Sequence, residues 1–259
     1  MQNWSPAELR EKCRNGVYDG PTSGYAQGYV QTNMVILPSD EAAPFASYCA
    51  RNPKPCPVLE QLEAGDPIPQ NSAPTADIRI DLPRYRVFED GKLVAEPTDI
   101  TDIWRDDLVT FLLGCSFTAE EALLKAGLPL HHLNQTGFVP MYRTNIATKP
   151  AGRFAGPLVV TMRPFTPLEA DRAADITSRY PLGHGGPVHR GDPADIGIAN
   201  IHKPDYAPPL TINDDQICVF WACGVTPQEA IAVAKPALTI THSPGHMFVT
   251  DIEAEATRV

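Results

Sequence analysis

Phe111-Leu-Leu-Gly-Cys-Ser-Phe-Thr-Ala-Glu-Glu-Ala122 is written a second time, in altered form, as Val219-Phe-Trp-Ala-Cys-Gly-Val-Thr-Pro-Gln-Glu-Ala230. Without a gap, Cys115 falls on Cys223, Thr118 on Thr226, Glu121 on Glu229 and Ala122 on Ala230. After two residues of slippage, Met141-Tyr-Arg-Thr-Asn-Ile146 falls on Met247-Phe-Val-Thr-Asp-Ile252. Two ordered blocks in register point to an internal repeat. Gln216-Ile-Cys-Val-Phe-Trp221 is rich in β-branched and aromatic residues, so the second copy opens on a strand, and Leu108 to Leu113 is read the same way. Thr118-x-x-Glu121 and Thr226-Pro-Gln-Glu229 have the spacing of capping boxes. Each copy therefore predicts a strand, a Cys-bearing turn, a helix and a second strand.

Outward from these units the punctuation is clear. Ser5-Pro-Ala-Glu8 predicts a helix ending near Gly16. Val30 to Leu37 reads as a strand, Pro38-Ser-Asp-Glu41 opens a helix to about Ala50, and Val58 to Glu63 reads as another strand. Arg84 to Ala95 is a hairpin turning at Asp90-Gly91. Gly156 to Pro164 is a strand, and Thr166-Pro-Leu-Glu169 caps a helix that ends near Tyr180-Pro181. The fold class expected is α/β. Residues 1–148 and 216–259 form a larger layered domain holding the duplicated units, and residues 149–215 form a smaller, inserted α+β two-layer subdomain.

Composition narrows the function. The chain has 259 residues, 43% hydrophobic and 20% charged, an ordinary globular balance. A net charge of -10 speaks against a nucleic-acid partner, which would want a basic face. No apolar run reaches the length of a membrane span, and Met1 to Arg10 has no apolar leader core. The expected location is cytoplasmic. The six cysteines include no Cys-x-x-Cys and are expected as thiols. The 27 prolines lie scattered, which suggests rigid ordered loops rather than a disordered tract.

Few residues carry chemistry. Cys115 and Cys223, each at a strand-to-helix turn, sit where backbone N–H groups and a helix dipole lower a thiol pKa. A pair of such thiols facing one cleft suits acid–base work on the two faces of a carbon, or a nucleophile with a proton donor. Each is equally well explained as a small residue filling a tight turn. Arg143, whose repeat partner is Val249, has the planar fork that grips a carboxylate, and an ordinary surface ion pair would explain it too. Asn145 and Asp251 occupy matching places and suit orienting a substrate amine or hydroxyl. Ser23, in the glycine-rich loop Asp19 to Tyr29, offers a donor to an anion, although that loop lacks a P-loop lysine. His189, near His184 and Asp192 in a glycine-rich loop, and His246, next to Pro244-Gly245, are candidate general bases. No histidine or cysteine spacing is diagnostic of a metal, and no dinucleotide fingerprint is present, so no cofactor is expected.

Several blocks resemble a known family: Gly20-Pro-Thr-Ser-Gly24, Arg51-Asn-Pro-Lys-Pro-Cys-Pro57, Gly114-Cys-Ser-Phe117, Pro140-Met-Tyr-Arg-Thr-Asn145, Phe220-Trp-Ala-Cys-Gly-Val-Thr-Pro227 and Thr241-His-Ser-Pro-Gly-His-Met-Phe248. They are similar to the bacterial hydro-lyase family related to one part of the mitochondrial D-glutamate cyclase, and the resemblance covers nearly the whole chain. It implies two α/β parts, one of three layers and one of two, and it implies lyase chemistry. The cyclase relative converts D-glutamate to 5-oxo-D-proline with loss of water. It also has an additional domain that this chain lacks. The expected partner is a small carboxylate-bearing substrate, an amino or hydroxy acid, with no nucleic acid and no membrane; a homo-oligomer is left open. A two-cysteine racemase or epimerase and a non-catalytic metabolite-binding accessory protein stand as alternatives.

Overall fold

Antiparallel pairing joins the strands into two sheets, and the doubled units run between them. The computed structural model describes residues 4–259; residues 1–3 of the Met1 to Arg10 stretch read above lie outside it. In chain order the elements are α1 (Pro6–Arg14), β1 (Tyr29–Pro38), α2 (Ser39–Arg51), β2 (Val58–Gln61), β3 (Tyr85–Glu89), β4 (Lys92–Ala95), β5 (Leu108–Gly114), α3 (Glu120–Lys125) and α4 (His131–Gln135). Then follow β6 (Met141–Ala147), β7 (Pro157–Phe165), α5 (Pro167–Ser178), β8 (His189–Arg190), β9 (Ile217–Ala222), α6 (Thr226–Ala234), β10 (Leu238–His242) and β11 (Phe248–Glu253). No helix among the described residues is long and apolar enough to cross a membrane.

The larger sheet runs β2-β5-β1-β10-β3-β4, with β11 also paired to β1; the smaller runs β6-β7-β9-β8. Each sequence unit therefore begins in one sheet and ends in the other. β5 lies in the larger sheet and its second strand, β6, in the smaller; β9 lies in the smaller sheet and β11 in the larger. The registers match as well. Gly114 pairs with Thr32 and Phe248 pairs with the same Thr32, while Ala222 pairs with Val160 and Tyr142 pairs with the same Val160. The smaller sheet thus draws strands from 141–147 and 217–222 as well as from within the 149–215 limits expected from sequence.

The local signals act through two different mechanisms. At α1 the Ser5 side chain caps Glu8 while Glu8 Oε2 accepts from Ser5 N–H at 2.8 Å, and Thr166 and Glu169 do the same for α5. The Thr118 and Thr226 spacings are not capping boxes. Thr118 lies inside a 3-10 turn, Ser116–Ala119, and Thr226 is the first residue of α6 without a side-chain cap. Both threonines are buried, so their hydroxyls bond outward to a neighbouring strand instead. Thr118 Oγ1 accepts from Gln31 N–H at 3.3 Å, and Thr226 Oγ1 accepts from Val159 N–H at 3.0 Å. Asp90 and Gly91 both take positive φ, 49° and 76°, which a two-residue turn with the twist of its strands requires.

Period-2 alternation divides the core. Val35, Leu37, Phe111 and Leu113 face α2 and the Ala230–Ile231 side of α6, while Met34, Ile36 and Leu112 face the loops around Ile78 and Tyr85. In the smaller sheet Phe165, Val219 and Trp221 meet Leu123 of α3 and Ala170 of α5, and Val160, Met162 and Phe220 meet Ile196 and Ile198. The helix after each cysteine therefore packs on the sheet its own first strand does not belong to. That exchange brings the two cysteine turns together.

Candidate active site

One cleft lies where the turns meet, with about 400 Å³ of space counted out to its opening on solvent. Most of its lining comes in register-equivalent pairs: Asn33 with Thr161, Cys115 with Cys223, Ser116 with Gly224, Phe117 with Val225, Val139 with Gly245 and Met141 with Met247. Phe138, His184 and His242 complete it. Only about 30 Å³ is open to the centre of a water-sized molecule, room for very little beyond one or two waters. No carboxylate and no lysine or arginine lines the cleft.

The thiols do not have the lowered pKa expected of a cysteine at a strand-to-helix turn. Burial pushes Cys115 up to about 12 and Cys223 up to about 11. Backbone N–H groups of Phe117 and Val225 pull the other way, the latter 3.5 Å from Cys223 Sγ, as does the Arg163 charge. Desolvation wins because both side chains are enclosed. At neutral pH both sulfurs carry their protons and are donors rather than nucleophiles.

The two cleft histidines are unprotonated. Burial lowers His184 to about 4, with Arg163 and Lys54 adding like-charge repulsion. Its Nδ1 lies 2.8 Å from Lys54 O, which can only accept, so Nδ1 carries the hydrogen and Nε2 keeps a lone pair. Burial likewise lowers His242 to about 4. Its Nδ1 faces both Met34 N–H at 3.1 Å and Met34 O at 3.3 Å; the shorter contact, in which Nδ1 accepts, leaves the hydrogen on Nε2. His242 fills the gap where β1 changes partner, between the β11 pairing at Thr32 and the β10 pairing at Val35. Neither His242 Nε2 nor Thr161 Oγ1 has a hydrogen-bond partner among the described residues, although both are buried.

Behind the cleft lies a charged cluster the sequence reading missed. Arg163 on β7 is 4% exposed, and its Nη2 lies 3.1 Å from Glu120 Oε1 and 3.3 Å from Ser116 Oγ. Its guanidinium sits over the Trp221 ring at 5.7 Å. Glu120 also meets His132 Nε2 at 2.9 Å and accepts from Ser23 Oγ at 3.0 Å. Burial works to raise the Glu120 carboxyl, but His132 and Arg163 overcome it and hold it below the usual carboxylate range. One signal was available: Arg163 interrupts an apolar strand at a position whose neighbours in the alternation are core residues.

The other sequence candidates lie apart from the cleft lining. Arg143 is engaged by Asp205 and Glu229, each at 2.8 Å, and donates to Tyr206 Oη at 2.7 Å. Its fork is already filled by two carboxylates, so it does not present a free clamp. Asn145 is exposed on β6, against Gly197. Asp251, on the other sheet, pairs with the buried Arg10 at 2.8 Å. His189 Nε2 lies 2.8 Å from Asp192 O and 3.8 Å from Asp195. His246 holds Pro244 O through Nδ1 at 2.9 Å and abuts Phe138, one step outside the lining. Ser23 serves the Glu120 cluster.

A family model described as D-glutamate cyclase matches residues 109–251, a span that begins in β5, ends in β11 and takes in both cysteine turns. The chain belongs to the D-glutamate cyclase family. Family relatives match it almost end to end. One from Bordetella petrii is 54% identical over 97% of this chain and 95% of its own length. One from Rubrobacter xylanophilus is 56% identical over 95% of each, and one from Bacillus licheniformis is 52% identical over 96% of this chain and 95% of its own. All three carry the name "Putative hydro-lyase".

Proposed function

We propose that this cleft, opening further than the one or two waters it admits as it stands, catalyses loss of water from a small amino or hydroxy acid, in the manner of a D-glutamate cyclase. The observation that carries the reading is that Cys115 and Cys223, from opposite sheets, line one cleft beside the unprotonated His184. Ring closure of glutamate forms a bond from the amine nitrogen to the side-chain carboxyl carbon and breaks a carbon–oxygen bond. The nitrogen gives up two protons and the departing oxygen takes both, leaving as water. The step therefore needs a proton acceptor near nitrogen and a donor near oxygen. His184 Nε2 offers the lone pair, and a protonated thiol offers the hydrogen. A cleft with so little room for water limits hydrolytic attack on the same carbonyl while the ring closes.

The test is turnover of D-glutamate, and of a panel of D- and L-amino and hydroxy acids, by the wild-type protein and by Cys115→Ser, Cys223→Ser and His184→Gln. Loss of product formation in these variants with the fold intact is the expected result; full activity in all three sinks the reading. The pairing of thiols across the cleft also favours a second reading, a two-cysteine racemase. Incubation in deuterated water separates the two: exchange at the α-carbon without loss of water supports racemisation. Ligand-induced stabilisation without turnover of any acid supports a binding accessory protein.

A further inference from the structure

Buried polar atoms in folded proteins nearly always find partners, so an orphan facing a cleft marks where a ligand atom belongs. Two such atoms belong to residues that line this one, on strands of different sheets. Thr161 Oγ1 comes from the smaller sheet and His242 Nε2 from the larger, and the side chains are 4% and 0% exposed. With Nδ1 of His242 occupied by Met34 N–H, both orphans are free to donate. Asn33 lines the same cleft; its Nδ2 is spent on Gly114 O at 2.7 Å, which leaves its Oδ1 as an acceptor. The cleft thus offers two donors and one acceptor, held on strands rather than loops.

We infer that Thr161 and His242 form a subsite for one carboxylate of the substrate, with Asn33 Oδ1 receiving the neighbouring amine or hydroxyl. This rests on the proposed reading of the cleft as the active site. The sign of the ligand charge follows from the surroundings. No carboxylate lines the cleft; the positive charges of Arg163 and Lys54 act on His184 and that of Arg86 on His242, while Glu120, which acts on Cys115, is itself paired with Arg163 and His132 behind the lining. An anion entering this field gains what a cation would lose. A carboxylate there also leaves the thiols protonated, as the proposed proton donation requires.

The experiment is titration calorimetry with glutarate, which has no amine and cannot cyclise, and with its uncharged diamide, glutaramide. Wild-type protein and Thr161→Val are compared, and the His242 side-chain nitrogen resonances are followed by NMR. Threonine and valine have the same shape, so removing an unpartnered hydroxyl should leave the melting temperature equal or higher. Glutarate binding should weaken by roughly ten- to a hundredfold, the value of one hydrogen bond to a charged group. The His242 Nε2 signal should move with glutarate and stay with glutaramide. Unchanged glutarate affinity in Thr161→Val, a clearly lower melting temperature, or equal response to the diamide overturns the inference. If wild-type protein turns over an acid and the cysteine variants do not, while Thr161→Val binds normally, the subsite alone is wrong. If wild-type protein binds no carboxylate, both readings fall.

Discussion

The amide of Asn33 lies directly against the backbone of Gly224: a Cβ at that glycine would stand 1.9 Å from Asn33 Nδ2 and 2.0 Å from its Cγ. The same Nδ2 donates to Gly114 O at 2.7 Å. One side chain thus ties the residue before Cys115 to the residue after Cys223, and it fixes the spacing of the two turns that the repeat units carry in from opposite sheets.

Gly224→Ala is therefore expected to destabilise the protein by about 1–3 kcal/mol, because the tethered amide has nowhere to retreat. Adding Asn33→Ala should recover part of that stability by vacating the space, without restoring turnover. Denaturant melts of the single and double variants check this, and an additive result would disprove the contact.

Stability should fall as the medium turns acid. His184 and His242 are both held at about 4, against an ordinary 6.5, by burial. Between those values the unfolded chain binds protons that the folded chain refuses, so stability is full above about 6.5 and is lost as pH drops toward 4. The loss is on the order of 3 kcal/mol per histidine at most. Denaturation midpoints across that window measure it, and His242→Gln should flatten the profile.

Glu120→Ala should be far worse than its size suggests. It strips the partner from Arg163, which is 4% exposed, and from His132, and an uncompensated buried cation costs about 3–5 kcal/mol. Glu120→Gln keeps the hydrogen bonds and should recover a large part. Equal melts for the two variants would mean that Arg163 finds water once its partner is gone.

Arg143→Ala should change little. The guanidinium and Asp205 are 46% and 33% exposed, so that pair is worth about 1 kcal/mol or less, and Glu229, 12% exposed, keeps Tyr206 as a partner. Substrate KM should stay within a factor of about two. A tenfold rise in KM would reinstate Arg143 as the carboxylate grip expected from sequence alone.

Legibility followed the range of the interaction. Local signals read well where the partner lies within a turn: the Ser5–Glu8 and Thr166–Glu169 boxes, the Asp90-Gly91 hairpin, and the strands at Leu108 and Ile217. The same four-residue spacing misled at Thr118 and Thr226, where burial offered each hydroxyl a better partner on a strand more than sixty residues away. Arg143 drew notice by differing from its repeat partner, and in the fold it meets Asp205 and Glu229. Arg163 went unremarked and His242 was read only as part of a histidine spacing, since what makes them important is what surrounds them.

The sequence by itself determined where the strands and helices of the two Cys-turn segments begin, because periodicity and turn chemistry are written residue by residue. Only the tertiary structure decided that each unit crosses from one sheet to the other and that the two sulfurs line one cleft. It also decided that the turns, opening onto that cleft, raise the thiol pKa instead of lowering it. Helix ends and backbone N–H groups act over one turn and are visible in a string of letters. Desolvation depends on everything packed around an atom, and no stretch of chain records that.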